Sequence, residues 1–298
     1  MRTLYFDCFS GISGDMVIGA LIDAGADPVQ MEEELKKLNI DEEYKLSWGK
    51  VVKNGITSTK FDVILTSKSE QTHEHSHSHG HEHSQEHGHS HSHSHGHEHS
   101  QEHGHSHSHG HEHNHNHNHS HVLHHHHGSR TYKQIVEAIN EANFNESVTN
   151  RSLAIFKKIG EAEGHIHGLP LEKVHFHEVG AVDSIIDIIG AAILIDQLGI
   201  ESVQSSAIPT GTGHIHIDHG IYPVPAPATL EILKGVPIAS NDIRFELTTP
   251  TGAAIAAVLA ETFGSLPAMT VESIGYGAGT KTFENHPNVL RIIIGENQ

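Results

Sequence analysis

The chain has a single cysteine, Cys8, which excludes an internal disulfide and any zinc ribbon built on paired thiols. Long apolar runs are missing too. Stretches such as Ile185–Ile189 and Ala253–Leu259 fall far short of the roughly 18 consecutive apolar residues that a membrane-spanning helix needs. The first apolar stretch is interrupted by Asp7, so the amino terminus does not read as a secretory signal, and the expected location is cytoplasmic. Basic residues are scarce: 18 Lys and Arg stand against 37 Asp and Glu. The chain therefore has no broad basic surface for a nucleic acid, and a phosphate-bearing ligand would have to be held by local geometry.

Histidine is what the chain has in excess. Of its 35 histidines, 27 lie between His73 and His127, mostly alternating with Ser, Gly, Glu or Asn. At a reference pKa near 6.5 about a quarter of these imidazoles carry a proton at pH 7, so the real charge is less negative than the formal −19. Gly80–His93 and Gly96–His109 repeat each other letter for letter, as replicated low-complexity sequence does. Such a tract builds no core and is expected to be disordered without metal. Neutral imidazole suits nickel, copper and zinc alike, so composition alone cannot choose among them, and the natural reading is a metal reservoir. Three regions follow: residues 1–72, the tract at 73–129, and residues 130–298.

The flanks carry alternating helix and strand signals, which predict an α/β or α+β architecture. Thr3–Phe6 reads as a buried strand, Met16–Ala24 and Met31–Leu38 as helices, and Lys45–Val52 and Thr59–Leu65 as strands. After the tract, Thr131–Asn140, Asn150–Gly160 and Val182–Leu198 read as helices, the last stopped by Gly199. Strands are expected at Val203–Ile208 and His214–Ile217, helices at Ala226–Leu233 and Gly252–Phe263, and closing strands near Thr270–Ile274 and Val289–Ile294.

Outside the tract six of eight histidines form His-x-His pairs: His165/His167, His175/His177 and His214/His216. On an extended segment residues two apart face the same side, so each pair can offer two imidazoles to one ion. His175–Gly190, HFHEVGAVDSIIDIIG, is the most informative stretch. Asp183 and Asp187 lie one turn apart on the predicted helix and can point together toward His175, His177 and Glu178. Helix capping would account for Asp183. It does not account for Asp187, a carboxylate inside a run of isoleucines that is costly to bury without a partner. In Gly211–Gly220, His214, His216 and Asp218 share a strand face with His219 at the turn, although a solvated edge strand would look the same. Two loops suit an anion at a helix start, one with Ser13, Gly14 and Asp15 and one with Thr249, Thr251 and Gly252. Asp7 and Asp15 flank the first loop and suit a metal or cationic group. Gly275–Thr280 reads as a third glycine-rich loop, one that lets a ligand approach the backbone.

The strings YFDCFSGISGDM, HFHEVGAVDSIIDIIG, YPVPAPAT, ELTTPTGAA and GYGAGT, in this order and with a histidine tract after the first, resemble the LarC family of pyridinium-3,5-bisthiocarboxylic acid mononucleotide nickel-insertion proteins. The resemblance covers nearly all of the chain outside the tract. It implies a cyclometallase of the lyase class that sets Ni(II) between two thiocarboxylate sulfurs and bonds it to a pyridinium carbon, giving the nickel-pincer cofactor of lactate racemase. It also implies dependence on CTP with Mn or Mg, and a homo-oligomer. Family members typically continue into a further domain associated with CTP; the chain resembles the amino-terminal part alone, and the expectation is that a separately encoded part supplies the rest. On this expectation His175, His177, Glu178, Asp183 and Asp187 deliver or hold nickel beside the mononucleotide, with His214, His216, His219 and Asp7 as further metal candidates. The competing expectation is a nickel storage protein or metallochaperone without chemistry of its own.

Overall fold

The computed structural model describes residues 1–66, 130–176, 181–217 and 220–297. The histidine tract, His177, Glu178, Asp218 and His219 lie outside them. The chain opens with strand β1 (Arg2–Asp7), helices α1 (Gly14–Asp23) and α2 (Pro28–Leu35), and the antiparallel hairpin β2 (Tyr44–Lys53) and β3 (Ile56–Leu65). It resumes with helices α3 (Tyr132–Glu141), α4 (Glu146–His167) and α5 (Val182–Gln197). Short strands β4 (Ser202–Ser205), β5 (Ile208–Pro209), β6 (His214–Ile217) and β7 (Gly220–Pro223) follow. Helix α6 (Pro227–Ile232), β8 (Ile238–Ala239), α7 (Pro250–Leu259), β9 (Thr262–Phe263), β10 (Met269–Ala278) and β11 (Val289–Asn297) complete the fold.

One mixed sheet, ordered β2-β3-β10-β11-β1-β4-β9, organises the molecule as the expected α/β class. β1 is antiparallel to β11 and parallel to β4, and its Leu4 and Phe6 are fully buried. Helix α1 lies across β3 and β10, and α5 packs on α1. Nearly all of Ile185–Ile195 is buried, as an apolar surface on every side of a helix demands. Gly199 ends the helical segment with φ 62°, where a Cβ would be strained. Helix α3 starts on a reciprocal cap: the Gln134 N–H donates to the Thr131 hydroxyl at 3.2 Å, and the Thr131 N–H to the Gln134 side-chain oxygen at 2.9 Å.

Three expectations need correction. The helix read over Gly252–Phe263 ends at Leu259, and Phe263 belongs to β9. The helix read as ending at Gly160 runs on to His167, because Gly160 is a packing position: a Cβ there would sit 2.6 Å from Leu171 Cδ1. His165 and His167 therefore lie in a last helical turn, where residues two apart do not share a face. Gly275 and Gly277 belong to strand β10, not to a loop, and what approaches them is the backbone of α1. The absent side chains serve helix-on-sheet contact there.

The two chain ends flanking the tract meet at one residue. The Thr66 N–H donates to the Glu43 carbonyl at 2.9 Å, and Arg130 Nη2 reaches the Glu43 carboxylate at 2.7 Å. Replacing residues 67–129 with a linker of about six residues shortens the connection between Thr66 and Arg130 roughly tenfold, which removes about 2 kcal/mol of closure entropy. The expected result is an intact fold with a modestly higher midpoint of thermal unfolding, read by circular dichroism.

Candidate functional site

Three helix starts converge on one cavity of about 410 Å³, a size ordinary for small-molecule sites. Ser13, Gly14 and Asp15 bring the start of α1, Asp183 and Ser184 that of α5, and Thr249, Pro250 and Thr251 that of α7. Lys60 to Val63 of β3 form another wall. This wall exists because β3 pairs with β10 at a single position, Thr59 opposite Gly277, and then runs on paired only with β2. The cavity opens beyond the carboxyl end of β1, the usual position for a ligand in such a sheet.

The loops are stitched together by main-chain bonds. The Ile12 N–H donates to the Leu247 carbonyl at 3.1 Å, and the Thr249 N–H returns to the Ile12 carbonyl at 3.2 Å. Gly252 is required at that seam, since a Cβ would stand 2.0 Å from the Ile12 carbonyl oxygen. Gly14 is required against α5, where a Cβ would stand 2.4 Å from Asp187 Oδ2. Thr249 caps α7 by accepting the Gly252 N–H at 3.2 Å. Ser13 stands at the cap position of α1 but its hydroxyl donates to Asp15 instead, and the Asp15 N–H serves the Asp187 carboxylate. An anion already belonging to the protein thus occupies one helix start.

Charge in the cavity is lopsided. Five carboxylates, of Asp15, Asp62, Asp183, Asp187 and Glu246, face one ammonium, that of Lys60. Lys60 Nζ donates to Asp15 Oδ2 at 2.8 Å, to Asp62 Oδ1 at 2.7 Å and to the Phe61 carbonyl at 2.6 Å. Burial disfavours its charge, but the two carboxylates outweigh that and its pKa is raised. Asp187 retains some exposure as a residue, yet its Oδ1 is sealed from solvent and has no hydrogen-bond partner. Burial first, then the charges of Asp15 and Asp183, push its carboxyl well above the ordinary range, against the smaller pull of Lys60 and the Asp15 amide. A nucleoside triphosphate would meet net repulsion here. The cavity suits a triphosphate less well than the single phosphate of a mononucleotide, which Lys60 alone can meet.

The structure brings Ser13, Gly14, Asp15, Asp183, Asp187, Thr249 and Thr251 to this cavity, with Gly252 in the seam behind it. Asp183 is no cap, since Ala181 holds that position, and it instead accepts the Ser184 N–H at 2.8 Å from an exposed place in the first turn. The described imidazoles do not join the carboxylates. His175 is exposed beside the buried Phe176 and bridges to Thr131. His214 and His216 share one face of the exposed β6–β7 ribbon, as their spacing predicts, and neither lines the cavity. Asp7 is engaged by Arg291, whose Nε donates to Oδ2 at 2.7 Å. The cations beside Asp7 and Asp15 are thus the protein's own. Among the described residues no three His, Cys, Asp or Glu side chains are arranged to hold a metal ion. Burial pushes the Cys8 thiol up to about 12, so it offers no thiolate near neutral pH. Lys60, Asp62, Ser184 and Glu246 were not singled out by the sequence, whereas Thr280 closes the third glycine-rich segment and does line the cavity. The one local signal is Lys60 and Asp62, two charges two apart on a strand.

Among the described residues no helix is long and apolar enough to cross a membrane. The family profile described as nickel insertion protein matches residues 4–298. A protein of Geobacillus kaustophilus is 47% identical over 296 residues, covering 99% of this chain and 60% of the relative. One from Staphylococcus epidermidis is 44% identical over 292 residues, covering 98% and 59%. One from Clostridium kluyveri is 44% identical over 298 residues, covering 100% and 63%. All three are named pyridinium-3,5-bisthiocarboxylic acid mononucleotide nickel insertion protein. The chain thus spans about 60% of the length of the curated relatives it matches. No solved structure matches it.

Proposed function

The chain belongs to the nickel insertion protein family, and from that premise we propose that its cavity takes the pyridinium mononucleotide for which its relatives are named, and that nickel is inserted into it there. The observation that carries this reading is the convergence of three helix starts on a cavity lined by carboxylates. The substrate has a phosphate at one end and, at the other, a pyridinium ring whose two thiocarboxylates are the groups that take the metal. The phosphate sits at the start of α7, against the Thr251 N–H, since Thr249 already takes the N–H groups of Gly252 and Ala253, and within reach of Lys60. The ring and the incoming divalent ion sit among the carboxylates, whose field concentrates cations. The product on this reading is the nickel-pincer cofactor of lactate racemase, formed by metal chelation of the lyase class. CTP with Mn or Mg acts in the part of the longer relatives that this chain does not span, and the assembly is a homo-oligomer.

The test combines the mononucleotide, Ni(II), CTP and Mn(II) with this chain, alone and together with the carboxyl-terminal part of a relative. Nickelated product, read by mass and absorbance, is expected in at least one arm, and its absence from both refutes the reading. A second reading, nickel storage or metallochaperone, draws on the 27 histidines of the tract. The variant with residues 67–129 replaced separates the two. An insertase keeps its turnover at ample nickel and slows only when nickel is limiting, whereas a storage protein loses its nickel capacity and has no turnover to keep.

A further inference from the structure

If nickel becomes bonded to the ring carbon between the two thiocarboxylates, the proton on that carbon has to leave. The carbon–hydrogen bond breaks, its electron pair forms the carbon–nickel bond, the metal remains Ni(II), and one proton passes to a base. No oxidant or reductant is needed. The reaction therefore requires a proton acceptor in the cavity, and this inference rests on the insertion reading above.

We propose that Asp187 is that acceptor, because its Oδ1 has no hydrogen-bond partner while the carboxylate is held at the cavity wall by Gly14 and the Asp15 amide. Glu246 Oε1 is the other buried cavity carboxylate oxygen without a hydrogen bond, and neither of those contacts holds it. The competing groups are already engaged. Asp15 accepts from the Ser13 hydroxyl and from Lys60, and Asp62 accepts from Lys60. Asp183 is exposed and accepts from the Ser184 N–H, and Glu246 has a partner as well. Lys60 is held as an ammonium by three oxygens and has no free lone pair to take a proton.

Position adds to this. Gly14 leaves no room for a side chain over Asp187 Oδ2, and the Asp15 amide serves the carboxylate, so the group is fixed while Oδ1 stays free. The charged groups facing it are Asp15 from α1, Asp183 from its own helix, Lys60 and Asp62 from β3, and Glu246 from the loop before α7. Burial and the charges of Asp15 and Asp183 make it a stronger base than a solvated aspartate; Lys60 and the Asp15 amide oppose them only in part. A group that must be deprotonated to act, with a raised pKa, gives a rate that climbs with pH through a range above the usual carboxylate value of about 4.

The experiment compares wild type, Asp187→Asn and Asp187→Glu in single-turnover nickel insertion across pH, under whichever condition supports wild-type turnover. Asp187→Asn is expected to lose about 100-fold or more in rate, the ordinary worth of a general base, and to lose the rising limb. It should still bind the mononucleotide within about threefold of wild type. Asp187→Glu, which keeps a carboxylate, retains the limb at a reduced rate. The folded-state pKa of Asp187 is raised, so its contribution to stability is lost as pH rises through that pKa. Asp187→Asn should therefore unfold at a temperature no lower than wild type at neutral pH. A purely structural Asp187 would give the opposite: lower stability and an unchanged limb. Turnover in Asp187→Asn close to wild type, or a limb that survives in it, overturns the proposal while leaving the insertion reading intact. Absence of wild-type product in every arm overturns both.

Discussion

Gly277→Ala is expected to destabilise the fold by about 3 kcal/mol or more, lowering the unfolding midpoint by roughly 10 °C for a chain of this size. A Cβ at this position would stand 1.8 Å from the Met16 carbonyl oxygen and 2.6 Å from the Ala20 N, both backbone atoms of α1. No rotamer relieves that contact. Either α1 lifts off β10 or the strand bends, and both open a core in which Met16, Val17, Ala20 and Leu21 are buried. The helix is pinned at two neighbouring places, since a Cβ at Gly275 would stand 2.0 Å from the Ala20 carbonyl oxygen and one at Gly19 would stand 2.4 Å from that of Thr59. Gly49, on β2 of the same sheet, has nothing within 4 Å of its Cβ position and no unusual φ. Gly49→Ala should be neutral or stabilising by up to about 1 kcal/mol, because only the entropy of the unfolded chain changes. Equal midpoints for the two variants would contradict the close packing of α1 on β10. Helix α1 also carries Ser13, Gly14 and Asp15 into the cavity, so on the proposed insertion reading Gly277→Ala should lose activity before it loses its fold.

The contrast between these glycines shows what was legible in the sequence. The buried helix α5 could be read from its apolar run and its Gly199 stop, and α3 from the Thr131–Gln134 pair, because those signals are local. The Gly-x-Gly of β10 was legible as a demand for close backbone approach but not as to what approaches, since the missing Cβ serves a helix as well as a ligand. The length of α4 was hidden by Gly160, which ends a helix in water and here makes room for Leu171. Asp183 and Asp187 were legible as a pair because helical spacing puts them on one face. Their true companions, Asp15 and Lys60, were not. That meeting depends on β3 leaving β10 after one pairing, a feature of the whole sheet that no local pattern carries. His165, His167, His175, His214 and His216 stand away from the cavity for the same reason, His177 lying outside the described residues: spacing tells which side chains share a face and not what the face looks toward.

Lys60→Met is expected to weaken binding of the mononucleotide by about 10- to 100-fold, the worth of one charge-assisted hydrogen bond to an anion in a partly enclosed site. Methionine keeps the length and the apolar stem of the side chain and removes only the charge. Two consequences should then separate. Stability should fall little, about 1–2 kcal/mol, because Asp62 is half exposed and Asp15 a quarter exposed, so both can be resolvated when their partner goes. Ligand affinity should fall more, because the same change leaves five carboxylates in the cavity with no cation among its lining residues. A third effect comes from the opposition between Lys60 and its neighbours over Asp187. Without the ammonium, the influences that raise the Asp187 pKa act unopposed except by the Asp15 amide, and the rising limb of the pH–rate profile should move to higher pH. Lys60→Arg, which keeps the charge, should leave that limb near its wild-type position while disturbing affinity through its wider head. Calorimetric titration with the mononucleotide, alongside the pH profile, distinguishes these outcomes. If affinity holds in Lys60→Met while the limb still shifts, the lysine tunes Asp187 without touching substrate, and the phosphate rests on the start of α7 alone.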